Sequence, residues 1–261
     1  MPDSFTATAR PTTTTSFAIR AAFQPIVDIL SGEVYAYEAL VRGAKGESAG
    51  EVLSWVSDAN RRDFDQACRV TAIRDAVAAG LLDTKAKLSI NFIPNAVDSP
   101  VADIQVTLKA AREAGIPNDR LMFEFAETER TNLDHLRSIV GTYRELGFTT
   151  AIDDFGVGHS GLCLLASVQP DVLKLDMHLI RGIDTNPAKQ AIVEAMMGLS
   201  RRLRMGLIAE GVETDGELTA LRALGVRHAQ GYLFGRPSLG QLSAFGSLFN
   251  RGMGERRRRA G

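Results

Sequence analysis

A chain of 261 residues with 45% hydrophobic side chains can bury a large core, and a (β/α)8 barrel takes roughly 250 residues as one domain. The formal charge of -1 argues against a nucleic-acid polymer as the main partner, because phosphate-backbone binders carry a basic face, but it leaves room for a small anionic ligand at a local positive site. Cys68 and Cys163 are far apart and lack metal-ligand spacing, so they are expected to be two semi-buried thiols in a reducing compartment, with no disulfide framework.

Residues 1–17, rich in Thr and Ser, form an expected flexible lead-in. No basic region followed by an apolar core opens the chain, and no run of 18 apolar residues occurs in it. No membrane span or membrane partner is therefore predicted, and a cytoplasmic location is expected. One continuous folded unit is expected over residues 18–250. Within it, the first strand candidates are Ala22 to Val27 and Val34 to Val41, joined by a turn at Ser31-Gly32. The turn is too short for a crossover helix, which points to an antiparallel pair. Lys87 to Asn91, Leu121 to Glu124, Thr149 to Asp153, Val172 to Asp176, Gly206 to Glu210 and a last short run near Ala229 to Phe234 follow.

Between these runs the apolar spacing turns helical. Leu133, Leu136, Val140 and Tyr143 share one face, and Ile192, Met196, Leu199 and Leu203 another. Thr214 with Glu217 has the spacing of a capping box, for a helix carrying Leu218, Leu221 and Leu224 that Gly225 stops. Strands alternating with helices every 30 residues or so predict a mostly parallel sheet. About eight strand candidates in this length favour a closed TIM-like (β/α)8 barrel with an irregular antiparallel first strand. Residues 251–261, with Arg256 to Arg259, form an expected solvated basic tail.

The informative pattern lies where the strand candidates end. Asn91, Glu124, Asp153, Asp176 and Glu210 each close an apolar run, and Glu38 sits inside the second. In a parallel barrel all carboxyl ends open on one face, so separate strands would deliver oxygen ligands to one mouth. One acid after a strand is more often a helix cap or loop residue, but five in phase are hard to obtain from capping alone. Crowded carboxylates repel unless cations neutralise them. Oxygen donors without His or Cys suit Mg²⁺ or Mn²⁺, and so many ligands suggest two ions about 4 Å apart flanking an activated water. Lys174 shares a strand face with Asp176; it could hold that water, hold a phosphate oxygen, or simply pair with a neighbouring acid. Arg42 could fork onto a phosphate or form a surface pair. His135, His178 and His228 are expected on helices or loops away from the acids.

At these residues the chain resembles the EAL-domain family of cyclic di-GMP phosphodiesterases, over about Phe23 to Pro237. The resemblance rests on Gln24-Pro25-Ile26-Val27, Glu38-Ala39-Leu40 with Arg42, Asn91, Glu124 and Glu127. Asp153-Asp154-Phe155-Gly156-x-Gly158, Lys174-Leu175-Asp176, Glu210-Gly211-Val212-Glu213 and Gln230-Gly231-Tyr232 complete it. It implies that Glu38, Asn91, Glu124, Asp153, Asp154, Asp176 and Glu210 hold two Mg²⁺ or Mn²⁺ ions, with Asp153 bridging. By the same resemblance Lys174, Glu210 and Asp153 serve catalysis, Lys174 touching the attacking water. Gln24, Glu38, Leu40, Arg42 and Gln230 would contact the dinucleotide, and Glu127 and Glu213 would support the surrounding loops. The implied reaction opens cyclic di-GMP to linear pGpG, in a homodimer joined through the barrel face near the Asp153–Leu162 loop.

The sequence departs from the family pattern at Ala126, Val157, His159 and Gly161, none of them a ligand position. In a Gly-rich loop His159 is expected to face solvent. Two other readings compete: a silent EAL domain that binds cyclic di-GMP or a protein as a receptor, and an unrelated metal-dependent barrel enzyme such as a sugar isomerase. Silent members lose the EAL glutamate, the Asp pair or the lysine, and all are present here. The isomerase reading leaves the ordered motif set unexplained.

Overall fold

The computed structural model describes residues 17–127, 131–158 and 161–243. The expected lead-in before Phe17, His159 and the basic tail lie outside these residues. Among the described residues the chain runs β1 (Ile19–Asp28), β2 (Val34–Gly43), α1 (Ala49–Leu53), α2 (Arg61–Ala78) and β3 (Lys87–Asn91), then α3 (Pro100–Ala114), β4 (Leu121–Ala126) and α4 (Leu133–Glu145). It continues with β5 (Thr149–Phe155), α5 (Gly161–Ser167), β6 (Val172–Leu175), α6 (Met177–Ile180), α7 (Pro187–Leu203), β7 (Gly206–Ala209), α8 (Asp215–Ala223), β8 (His228–Gln230) and β9 (Ser238–Leu239). The strands pair in the order β2-β3-β4-β5-β6-β7-β8-β1, and β1 closes on β2. The architecture is the expected TIM-like barrel. β1 runs antiparallel to both β2 and β8, while β2 to β8 are mutually parallel.

The antiparallel start follows from the turn after Asp28. The Asp28 carboxylate accepts the amides of Leu30 and Ser31 at 2.9 and 3.1 Å, and Gly32 takes φ 78°. Such a tight reversal leaves β2 no direction but back along β1. β9, two residues long, pairs with β1 at Ala22 and Phe23 and was too short to leave a pattern in the sequence.

Most of the core lies between the strands and the helices. A second, smaller cluster of Ile26, Ala36, Met122, Ala151, Val172 and Ile208 fills the barrel interior. These six come from six strands, and the side-chain period of two then decides what lies above them. Two residues further toward the mouth stand Gln24, Glu38, Glu124, Asp153, Lys174 and Glu210. A polar layer thus sits directly on an apolar floor.

Several sequence expectations need correction. β8 ends at Gln230, because Gly231 begins a turn in which its carbonyl accepts the amides of Phe234 and Gly235. On α4 the buried face is Leu136, Ile139, Val140 and Tyr143, with Leu133 exposed at the start. On α7 it is Val193, Met196 and Ser200, and Ile192 faces outward. The capping box of α8 forms as expected, with Leu218 and Leu221 buried and Gly225 at φ 81° beyond its end. Cys163 is exposed. His228 lies on a strand, stacked on Tyr35 at 4.1 Å. Among the described residues no helix is long and apolar enough to cross a membrane.

Candidate metal centre at the barrel mouth

Lys174 organises the polar layer. Its side chain is 1% exposed, and its ammonium lies 2.8 Å from Asp153, 2.9 Å from Glu210, 3.1 Å from Glu124 and 3.7 Å from Glu38. Burial opposes that charge, but Asp153, Glu124, Glu210 and Glu38 together overcome the penalty and hold the ammonium well above its ordinary range. The ion-pair alternative for Lys174 is therefore realised, with four acids at once.

One ammonium cannot balance them. Burial above all, joined by the charges of Glu38 and Asp153, pushes Glu124 and Glu210 well above the usual carboxylate range. Asp154 is pushed up to about 6, by burial first and then by Asp153 and Asp176. The buried Asp153 Oδ1 touches Lys174 but receives no aligned hydrogen bond.

The acids fall into two groups whose oxygens lie within 4.8 Å of one another: Glu38, Glu124 and Asp153, and Asp153, Asp154 and Glu210. Asp153 belongs to both. Adjacent residues of a regular strand face opposite sides, so Asp153 and Asp154 can share the mouth only if β5 is irregular. It is: the register with β6 shifts between Ile152 and Phe155, and Asp154 takes φ 53°, a left-handed conformation that is strained for a side-chain-bearing residue and concentrates at functional sites.

The remaining residues hold these acids in place. Gln230 donates to Glu38 at 2.5 Å and to Gln24 at 3.1 Å, and Gln24 donates to the Gly235 carbonyl at 3.0 Å. Asn91 reaches Glu38 and Glu124 at 3.3 and 3.1 Å, and Ser89 donates to Glu124 at 2.7 Å. Asp176 caps α6 and meets the ring of His178 at 2.5 Å, so His178 is not remote from the acids as expected. Leu40, Asp154, Asp176, Glu213 and Tyr232 line a mouth cavity of about 380 Å³. Arg42 stands apart from it and donates to the Val41 carbonyl at 2.7 Å.

Loops around the mouth are tied by two further glutamates. Glu127 accepts the amides of Gly156 and Gly158 at 2.7 and 3.3 Å. A Cβ at Gly161 would lie 2.7 Å from the Glu127 carboxylate and 2.8 Å from the Phe155 ring, so the departure at position 161 leaves space that Glu127 occupies. Glu213 pairs with Arg181 at the rim. Glu217 accepts the amides of Gly182, Glu213 and Thr214 and so fixes the segment after Glu210. Sequence reasoning assigned Glu217 only a capping role, because its two additional partners lie outside the cap it closes.

The donor set fits hard divalent cations. It consists of oxygen ligands, it carries more negative charge than Lys174 offsets, and it forms two adjoining groups that share a carboxylate.

The EAL domain family matches residues 14–237. A standalone EAL protein from Vibrio cholerae O395, solved with c-di-GMP bound, is 45% identical with a TM-score of 0.86, covering 90% of this chain and 98% of that one. Klebsiella pneumoniae BlrP1, solved with manganese and cy-diGMP, is 35% identical with a TM-score of 0.80, covering 87% of this chain and 57% of that one. The Cyclic di-GMP phosphodiesterase NbdA of Pseudomonas aeruginosa is 30% identical over 229 residues, covering 82% of this chain and 28% of its own length. The chain spans between 27% and 54% of the length of four curated relatives it matches. With a family match across nearly all of the barrel, the chain belongs to the EAL-domain family.

Proposed function

We propose that this protein is a phosphodiesterase that hydrolyses cyclic di-GMP to linear pGpG, with two Mg²⁺ or Mn²⁺ ions at the barrel mouth. The observation that carries the reading is the pair of carboxylate groups joined at Asp153. One group, with Asn91 beside it, would hold one ion, and Asp154 and Glu210, with Asp176 nearby, would hold the other. Bound divalent cations activate water and offset charge on phosphoryl oxygens. The chain supplies the rest. Lys174 keeps its proton and directs N–H groups at the place where the acids converge, where it orients the water and holds it toward phosphorus. Gln24 and Gln230 fix Glu38, and Leu40 and Tyr232 offer apolar surface along the wall. Arg42, on the same face of β2 as Glu38 and Leu40, would swing from its own strand to meet a phosphate.

The presence of every acid, of Lys174 and of both glutamines supports an enzyme over a silent receptor, since a receptor needs no buried ammonium among carboxylates. We also propose a homodimer through the face near Asp153–Leu162, where Val157 and Leu162 are 46% and 64% exposed, and a cytoplasmic site of action, the location of the proposed substrate. Asp153→Asn tests the shared-ligand assignment. Hydrolysis should vanish while the melting temperature in chelator is kept or raised, because a repelling charge is removed. Retained turnover would refute it.

A further inference from the structure

Asp65 and Arg69 lie one turn apart on α2 and are 2% and 1% exposed. Arg69 Nη2 meets Asp65 Oδ2 at 2.7 Å, and Nη1 reaches the Tyr143 hydroxyl of α4 at 3.4 Å. The other carboxylate oxygen, Oδ1, accepts the backbone amide of Ile93 at 2.8 Å. Ile93 is the second residue after Asn91.

The backbone of that segment changes support within two residues. Phe92 still donates to the Glu124 carbonyl at 2.9 Å, and its ring packs against Phe123, Phe125 and Tyr143. At Ile93 the chain leaves the sheet, and the Asp65 carboxylate takes the place of a strand partner. On one side Asn91, Phe92, Ile93 and Pro94 border an apolar cavity of about 300 Å³. Asp65 is therefore the acceptor that ties the Ile93 amide of a segment bordering that cavity.

Stability does not explain this pair. A buried ion pair is often no better for the fold than an apolar pair of similar volume, and burial pushes the Asp65 carboxyl above its ordinary range even beside Arg69. What an apolar pair could not do is hold the Ile93 amide. We propose that Asp65, oriented by Arg69, is a positioning residue for Asn91: it anchors the backbone two residues beyond Asn91 and so fixes where that side chain meets Glu38 and Glu124. The inference rests on the metal-site reading given above.

The test compares two double variants that both remove the buried charge. Asp65→Leu with Arg69→Met offers Ile93 no acceptor, whereas Asp65→Asn with Arg69→Met keeps an amide oxygen there. Titration calorimetry with Mn²⁺ alone should show binding about 10–100-fold weaker in the first, the usual size of an outer-support effect, and near-native binding in the second, at similar melting temperatures. Equal loss in both, or loss in neither, overturns the proposal while leaving the metal site intact. A native chain that takes up no Mn²⁺ removes the metal reading and this inference with it. Hydrogen–deuterium exchange on the native chain supplies a measurement that does not depend on either variant folding. The Ile93 amide should be protected although it lies outside the sheet, and exchange at the rate of an open loop overturns the tether.

Discussion

Replacing Lys174 with methionine would separate its structural role from its chemical one. The substitution keeps an unbranched side chain one atom shorter and removes the ammonium, which lies 2.8 to 3.7 Å from four buried or nearly buried carboxylates. Removing one partner from a buried ionic cluster costs about 3–5 kcal/mol. For a domain of this size each kcal/mol moves the melting temperature by about 2–4 °C, so Lys174→Met in chelator should melt about 6–20 °C below the native chain. The lower part of that range is expected, because Glu124 and Glu210, already held above the carboxylate range by burial, can take up protons when the ammonium leaves. Saturating Mn²⁺ should close most of the gap, since cations supply the missing charge. Turnover should not recover: loss of a pre-organised hydrogen-bond donor at the reacting atoms costs about 100-fold or more. Calorimetry in chelator and in Mn²⁺, paired with turnover, reads both effects. Equal melting temperatures in chelator, or a deficit that Mn²⁺ leaves unchanged, would refute the reasoning.

Two further expectations concern the frame and the assembly. Burial works against the charge of Asp28, but Arg227 at 2.7 Å and the amides of Leu30 and Ser31 hold its carboxyl below the usual 3.8. Such an acid stabilises the fold above its unfolded pKa, and the contribution is lost as pH falls through the folded value. Asp28→Asn should therefore lose about 1–2 kcal/mol near neutral pH and progressively less as the pH falls below 3.8; a urea-midpoint difference that stays constant with pH would contradict this. Leu162→Glu should shift sedimentation from dimer to monomer, and an unchanged coefficient would place the interface elsewhere.

The sequence made the barrel legible because its strands are buried on both sides and read as short apolar runs that stop at the mouth. Asn91 does end its strand for that reason, whereas the strand expected to stop at Glu124 continues to Ala126; the turn at Ser31-Gly32 announced the antiparallel start. The period of two also put Lys174 on the inner face. What could not be read was anything set by departures from regular geometry or by contacts distant in sequence. The bulge that brings Asp153 and Asp154 to one side depends on the register of β5 against β6. The aromatic run Tyr232 to Phe234 looked like strand, yet the turn at Gly231 claims it. Arg69 carried no signal in the sequence, yet it is among the most deeply buried side chains, held by Asp65 one turn back on α2 and by Tyr143 of α4.

The central claim is that the shared carboxylate groups make this barrel a metal-dependent phosphodiesterase. The most direct measurement incubates the purified protein with cyclic di-GMP and Mn²⁺, or Mg²⁺, and follows product by chromatography, with a chelator control. The expected result is conversion to pGpG that stops in chelator and resumes when metal is restored. Tight binding of cyclic di-GMP with no pGpG in either metal would contradict the claim and make the domain a receptor.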